Sequence, residues 1–389
     1  MKQIRSKQDL AINGAPPAFD SPVHVGRPNI GSRDDFLARV GDIVDRHWLT
    51  NNGPVVQEFE RRIAGYLGVK HCVAMCNGTI ALEIAIRALK LEGEVIVPSW
   101  TFIATAHALH WQEITPVFAD IDPETHNLDP AAVRRMITPR TSGIIGVHLW
   151  GRAAPVEELQ AIADEHGLQL LFDAAHAFGS THGGRRIGAF GRCEVFSFHA
   201  TKAFNTMEGG AVTTNDDELA EAIRLMRNFG FVHYDKVIHP GTNGKMVEVC
   251  AAMGLSNLST FESTVATNRR HFHSYADAFA NIPGIDLVGY GRAEANTHHY
   301  VVAEIAAGAE LRDATVNALH AENILARKYF WPGCHRMKPY SDLFPHAGLL
   351  LTNTDAVSGR VIIFPTGTAL PEGAIDTAAA VCREVLTAG

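Results

Sequence analysis

Three widely spaced features of this chain could together handle a carbonyl compound: Lys202, Asp173 and the pair Gly78-Thr79. Lys202 lies in VFSFHATKAFNTMEGGAVTTN (residues 195–215), between two β-branched and aromatic runs that read as short strands. A lysine held between buried strands loses hydration, which favours the neutral amine, the form that attacks a carbonyl. Taken alone, a lysine in a hairpin loop is as readily a solvated surface group. Asp173 ends the apolar run in LLFDAAH, where an ionised carboxylate needs a cationic partner. A metal, a ribose or a protonated ring nitrogen would each suit it, and so would a structural N-cap role. The segment MCNGT (residues 75–79) takes a strand into a helix. Free N–H groups at a helix start, the Thr79 hydroxyl and a glycine that admits close approach make an anion site, although Asn-Gly is also an ordinary turn pair. Ser197 stands beside Lys202 at the third place.

Together, a phosphate-binding helix start, an acid at one strand end and a lysine at a later one are the parts that pyridoxal phosphate (PLP) demands. The lysine meets the aldehyde, the acid keeps the ring nitrogen protonated, and the helix start holds the phosphate. A nicotinamide cofactor would call instead for GxGxxG after the first strand with an acid roughly 20 residues later. That motif is absent from the chain.

Such groups must be carried on strand ends, and the hydrophobic pattern supplies them. Short apolar runs at residues 71–75, 95–97, 116–119, 144–148, 168–172, 195–198 and 211–214 alternate with helical segments at 79–89, 102–111, 156–165 and 217–228. Repeated strand-helix units of this length predict an α/β fold with a mostly parallel sheet covered on both faces, whose ligands sit at the carboxyl ends of strands. Residues 1–31, rich in Pro and Gly, read as an extended arm. Ser32 caps a helix reaching residue 47, and a second helix spans Val55 to Leu67 before Gly68. Residues 231–244 lack periodicity and read as a long loop serving a site or an interface. A helix follows from Met246 to Ala278, with a break expected near Ser263. The organisation expected is an arm (1–31), a large domain (32–260) and a smaller α+β domain (261–389), the last with strands at 300–305 and 361–364 and helices at 312–322 and 374–386.

Composition removes several classes of function. A formal charge of −8 over 389 residues leaves no general basic face for nucleic acid. No apolar run is long enough to cross a bilayer, and the N-terminus has no signal-like apolar core, so a cytoplasmic location is expected. The six cysteines form no paired CxxC modules and the 20 histidines no HExxH, so no metal site is expected.

The ordered segments CNGTIALEIAIRAL, EVIVPSWTFIATAHA, PVFADIDPETHNLD, GVHLWG, LLFDAAHAFGS, FSFHATKAFNTMEGGAVTTND, RLMRNFG and GTNGKMVEVCAAMGLSNL resemble the PLP-dependent nucleotide-sugar aminotransferases of fold type I, from about Leu49 to Phe261. The resemblance implies that Lys202 is the Schiff-base lysine and Asp173 the partner of the pyridine nitrogen. By the same resemblance Gly78, Thr79 and Ser197 hold the phosphate, Phe102 rather than Trp100 stacks on the ring, and His176 lies near the ring hydroxyl. Asn243, in GTNGKM, reaches the phosphate of a neighbouring chain's cofactor, which implies a homodimer with two shared sites. Gly244 and Lys245 stand where an aromatic and an arginine are frequent. The implied reaction moves an amino group from L-glutamate to a nucleotide-linked keto sugar. The wording is most similar to enzymes acting on dTDP-4-keto-6-deoxy-D-glucose, with a 3-keto isomer or a UDP- or GDP-linked sugar as alternatives. A regulator that binds PLP without turnover is the alternative of another class. Lys245, Arg269, His335 and Arg336 are cations that could meet the substrate's diphosphate, although each is as readily an ordinary surface residue, and none is assigned as a site residue.

Overall fold

The computed structural model describes residues 2–291 and 294–387. Its centre is a seven-stranded sheet: β1 (His71–Met75), β2 (Glu94–Pro98), β3 (Thr115–Ala119), β4 (Thr141–Val147), β5 (Gln169–Asp173), β6 (Cys193–Ser197) and β7 (Gly210–Thr214), in spatial order β1-β7-β6-β5-β4-β2-β3. All neighbours run parallel except β7, which is antiparallel to both β1 and β6. This is the mostly parallel sheet that the alternating pattern predicts.

Its strands are almost wholly apolar because helices cover both faces. On one side Val73, Val95, Val97 and Val212 pack with Leu82 and Ile84 of α3 (Gly78–Ala88), Leu109 of α4 (Ile103–His110) and Ile223 of α7 (Asp217–Arg227). On the other side Ala74, Ile96, Ile144 and Phe172 meet Phe59 of α2 (Pro54–Leu67), Val133 of α5 (Pro130–Met136), Ile162 of α6 (Val156–His166) and Leu255 of α8 (Glu248–Phe279). Helix α1 (Arg33–Asp45) begins as expected, with the Ser32 hydroxyl accepting from Asp35 N. No described helix is long and apolar enough to cross a membrane.

Two expectations are corrected. Helix α8 runs unbroken for 32 residues. The Ser263 hydroxyl donates to the Thr260 carbonyl at 2.8 Å, bonding back within the helix without ending it. The stretch read as a loop begins as a small hairpin, Phe231–His233 against Lys236–Val237, whose exposed strands lack the buried face that marks a strand in sequence.

Beyond α8 an antiparallel sheet of β8 (Ile285–Leu287), β9 (Val301–Ile305) and β10 (Val361–Phe364) packs against α9 (Ala309–Ala321) and a last helix, α10 (Ala374–Leu386). Residues 2–31 are fastened to this part. Val23–His24 pairs with Ile324–Leu325, and Lys2 reaches the buried Glu322 at 2.7 Å. Asn29 then ties the arm to the segment carrying Lys202. Its Nδ2 donates to Ala203 O at 3.3 Å, its carbonyl accepts from Asn205 Nδ2 at 2.8 Å, and its Oδ1 accepts from Thr368 N at 2.9 Å.

Candidate active site

The carboxyl ends of the central strands open into a cavity of ≈ 600 Å³ whose lining includes Gly78, Thr79, Phe102, Asp173, His176, Ser197 and Lys202. The start of α3 is built for an anion. Asn77 caps the helix by accepting from Ile80 N at 2.9 Å. The N–H groups of Gly78 and Thr79 then have no acceptor among the described residues. Close approach explains the glycines here: a Cβ on Gly78 would stand 2.9 Å from Ser197 Cβ, and one on Gly210 would stand 2.6 Å from Asn77 C. The Gly209-Gly210 pair therefore lets β7 begin directly against the helix start. Such a cradle fits a phosphate monoester.

Asp173 closes β5 inside the protein. Its Oδ2 accepts from the Thr105 hydroxyl at 2.8 Å and its Oδ1 from Ala175 N at 3.1 Å, while Thr101 and Thr105 are hydroxyl to hydroxyl at 3.0 Å. Burial pushes its carboxyl above the usual range, and the Thr105 and Ala175 donors and the Lys202 charge pull the other way. A protonated ring nitrogen in the cavity would offset the cost of that buried charge, so the carboxylate fits the pyridine of PLP. Beside it His148 N donates to the Asp173 carbonyl at 3.0 Å. The His148 ring sits between Ala154 N, donating to Nδ1 at 2.9 Å, and Glu194 Oε1, 2.6 Å from Nε2. The first contact makes Nδ1 an acceptor, so Nε2 carries the hydrogen.

Lys202 follows a turn in which its N–H donates to His199 O at 2.9 Å. Solvent reaches the side chain from the cavity, yet protein crowds it elsewhere, and burial pushes its amine down to about 8, with Asp173 opposing. No described carboxylate forms an ion pair with Nζ, so the amine is left for a ligand. Lys202, Asp173 and the phosphate cradle thus present a nucleophilic amine, a buried acid and an anion site to one cavity, which fits PLP.

Aromatic rings form the remaining walls. Phe102, 56 % exposed, offers an open face, whereas Trp100 is 1 % exposed and packs in the core against Phe330. The His176 ring lies nearly parallel to Trp150 (12°) and Phe330 (10°), and its Nδ1 is buried without a partner among the described residues. Burial, then the charge of Lys202, holds His176 well below the ordinary histidine range, so it is neutral. Tyr300, Tyr329 and Phe330 come from the C-terminal part and close the cavity.

Seven of the eight residues singled out in the sequence therefore meet. Asn243 does not: it is exposed, bridges to Asn228 and lies outside the cavity of its own chain. Sequence reasoning missed Thr105, Tyr300, Tyr329 and Phe330. Thr105 had a signal, its spacing of four from Thr101 at a helix start. The three aromatics had none, because only the packing of the C-terminal part against the sheet brings them to the site.

Comparison with known proteins agrees with this geometry. Residues 31–384 match the sequence model of the DegT/DnrJ/EryC1/StrS aminotransferase family. The dTDP-4-amino-4,6-dideoxy-D-glucose transaminase of Escherichia coli is 35 % identical over 358 residues, covering 91 % of this chain and 96 % of that one. The GDP-perosamine synthase of Caulobacter vibrioides is 35 % identical over 378 residues, covering 94 % and 98 %. Among solved structures, that of DesI in the presence of its TDP-sugar product superimposes with a TM-score of 0.93 at 48 % identity, covering 98 % of this chain and 97 % of that one.

Proposed function

Because the chain belongs to the DegT/DnrJ/EryC1/StrS aminotransferase family, and so is a PLP-dependent sugar-nucleotide aminotransferase, we propose that it aminates dTDP-4-keto-6-deoxy-D-glucose with L-glutamate as donor. The product is dTDP-4-amino-4,6-dideoxy-D-glucose. The observation that carries this reading is the convergence of Lys202, Asp173 and the Gly78-Thr79-Ser197 cradle on one cavity, in a chain 48 % identical to DesI. A GDP-linked 4-keto sugar is the second reading, favoured by the likeness to GDP-perosamine synthase.

When bound, PLP supplies an aldehyde that carries the amino group and a ring that takes up the electron pair released as a proton leaves the neighbouring carbon. The Gly78 and Thr79 N–H groups, with the Thr79 and Ser197 hydroxyls, hold the phosphate. Asp173 keeps the ring nitrogen protonated, and Phe102 covers one ring face. With its amine pushed down to about 8, Lys202 is the group that would take the proton from the donor's Cα and give it back. In the second half of the cycle it runs the same transfers in reverse on the keto sugar. Tyr300, Tyr329 and Phe330 would give the sugar aromatic walls, and the neutral His176 offers a hydrogen bond near the ring hydroxyl.

The site is shared between two copies of the chain in this reading. It is supported by Asn243 standing outside its own cavity and by the exposed apolar hairpin around it, with Tyr234 99 % exposed. The testing experiment adds L-glutamate to the holoenzyme and follows conversion of the cofactor to its amine form by absorbance. Each keto sugar nucleotide is then added and the product read by NMR. Expected is bleaching followed by a 4-amino product from the dTDP sugar. Absence of bleaching overturns the donor, and an amino group at C3 overturns the acceptor.

A further inference from the structure

The diphosphate of a sugar nucleotide needs cations or N–H donors. Of the residues lining the cavity, Lys202 is the single lysine or arginine, and it is engaged in the chemistry. The cations suggested by the sequence are occupied or badly placed. Lys245 rests over the Phe229 ring at 4.8 Å, outside the cavity lining. Arg336 is ion-paired with Asp355 through two nitrogens, and His335 is 3 % exposed with Nδ1 on the Ser99 hydroxyl at 2.7 Å. Arg269 lies on an exposed face of α8.

Arg327 differs from all four. It too lies outside the lining, but the ring its guanidinium carbon meets, 4.7 Å from the centre, is that of Tyr329, which lines the cavity as Phe229 does not. Its backbone is pinned to Ile363 of β10 in both directions, N–H to O at 3.0 Å and O from N–H at 2.8 Å. The side chain is exposed and pairs with no carboxylate among the described residues, whereas its neighbour Lys328 reaches Asp313 at 3.1 Å. A planar guanidinium resting on an aromatic wall keeps its N–H edge free for a bidentate anion, and its fixed backbone lowers the entropy lost on binding. A sugar nucleotide whose ketone meets Lys202 and whose diphosphate passes Tyr329 would bring that diphosphate to this guanidinium.

We propose that Arg327 is the residue of this chain that binds the diphosphate of the sugar nucleotide, resting on the reading given above. The amino donor, which uses the same cavity in the other half of the cycle, does not depend on it. The test measures equilibrium binding of dTDP, GDP, UDP and thymidine to the wild-type holoenzyme, Arg327→Met and Arg327→Lys, together with cofactor bleaching by L-glutamate. Loss of a charge-assisted bidentate contact predicts a rise in the diphosphate Kd of about 10- to 100-fold in Arg327→Met, partly restored in Arg327→Lys. Thymidine binding and glutamate bleaching stay unchanged. An unaltered diphosphate Kd in Arg327→Met, or a loss confined to the glutamate reaction, overturns the assignment. Should wild-type protein bind none of the three diphosphates, the sugar-nucleotide reading falls with it, an outcome seen before any variant is examined.

Discussion

The Thr105 hydroxyl donates to Asp173 Oδ2 at 2.8 Å, so a residue in the first turn of α4 holds the carboxylate that ends β5. This contact lowers the Asp173 pKa against the burial that raises it. Replacing Thr105 by Val keeps the shape and removes the donor, so the Asp173 pKa rises further. The working form is ionised, and the acid limb of the pH-rate profile moves to higher pH. We expect kcat to fall about tenfold, the loss of one charge-assisted hydrogen bond, with Thr105→Ser restoring most of it. A profile that drops in height without shifting would remove Asp173 titration from the explanation.

The amine of Lys202 gives a second, opposite pH dependence. In cofactor-free protein it stands at about 8 against an ordinary 10.5. Between those values the unfolded chain binds more protons, so stability rises with pH across the window, and below it the full penalty is present. Lys202→Met removes the penalty and abolishes turnover. At pH 7 the stripped variant should be more stable than stripped wild type by about 2 kcal/mol, a figure reduced for the solvent that reaches the amine. The gap should close by pH 10.5. Urea midpoints at both pH values check it, and an equal gap at both contradicts the burial of this amine.

Gly78 is predicted to tolerate no side chain. The added Cβ of Gly78→Ala meets Ser197 Cβ at 2.9 Å, a contact that forces the end of β6 or the start of α3 to move. Overpacking of this kind costs about 1–3 kcal/mol. Since it falls on the phosphate cradle, the effect should appear as PLP affinity weakened at least tenfold, with secondary structure retained. Titration of stripped protein with PLP measures it, and wild-type affinity in the variant would place the phosphate elsewhere.

The proposed sharing of the sites between two copies makes a qualitative prediction about mixtures. In that reading Lys202→Ala homodimers are expected to be inactive, and Asn243→Ala homodimers to lose cofactor phosphate contacts. In a mixed dimer, if Asn243 serves the partner's site, one site receives both defects and the other neither. Refolding the two variants together should therefore restore activity above that of either alone, up to half the wild-type value per mixed dimer. Activity no greater than the average of the parents would mean that each copy works by itself.

What the amino-acid order determined here is the local chemistry and its scaffold. Strand runs, helix starts and the Gly78 and Gly209-Gly210 signals act over a few residues, because backbone sterics and the burial of alternate faces are local constraints. Lys202, Asp173, Gly78, Thr79 and Ser197 were accordingly legible at a strand end, in the turn after it or at the next helix start, and Phe102 and His176 through the family resemblance. Their meeting in one cavity follows from the parallel sheet, which sends β2, β5 and β6 to the same edge. Tertiary structure alone decided the outer walls. Tyr300, Tyr329 and Phe330 lie more than 90 residues beyond Lys202 and carry no motif, and the Arg327 guanidinium gains its place from a β-bridge to Ile363. The same holds for Asn29, which ties the arm to the Lys202 loop across 174 residues of sequence. Contacts at such separations arise from how two packed bodies fit, and no periodicity in either segment encodes them.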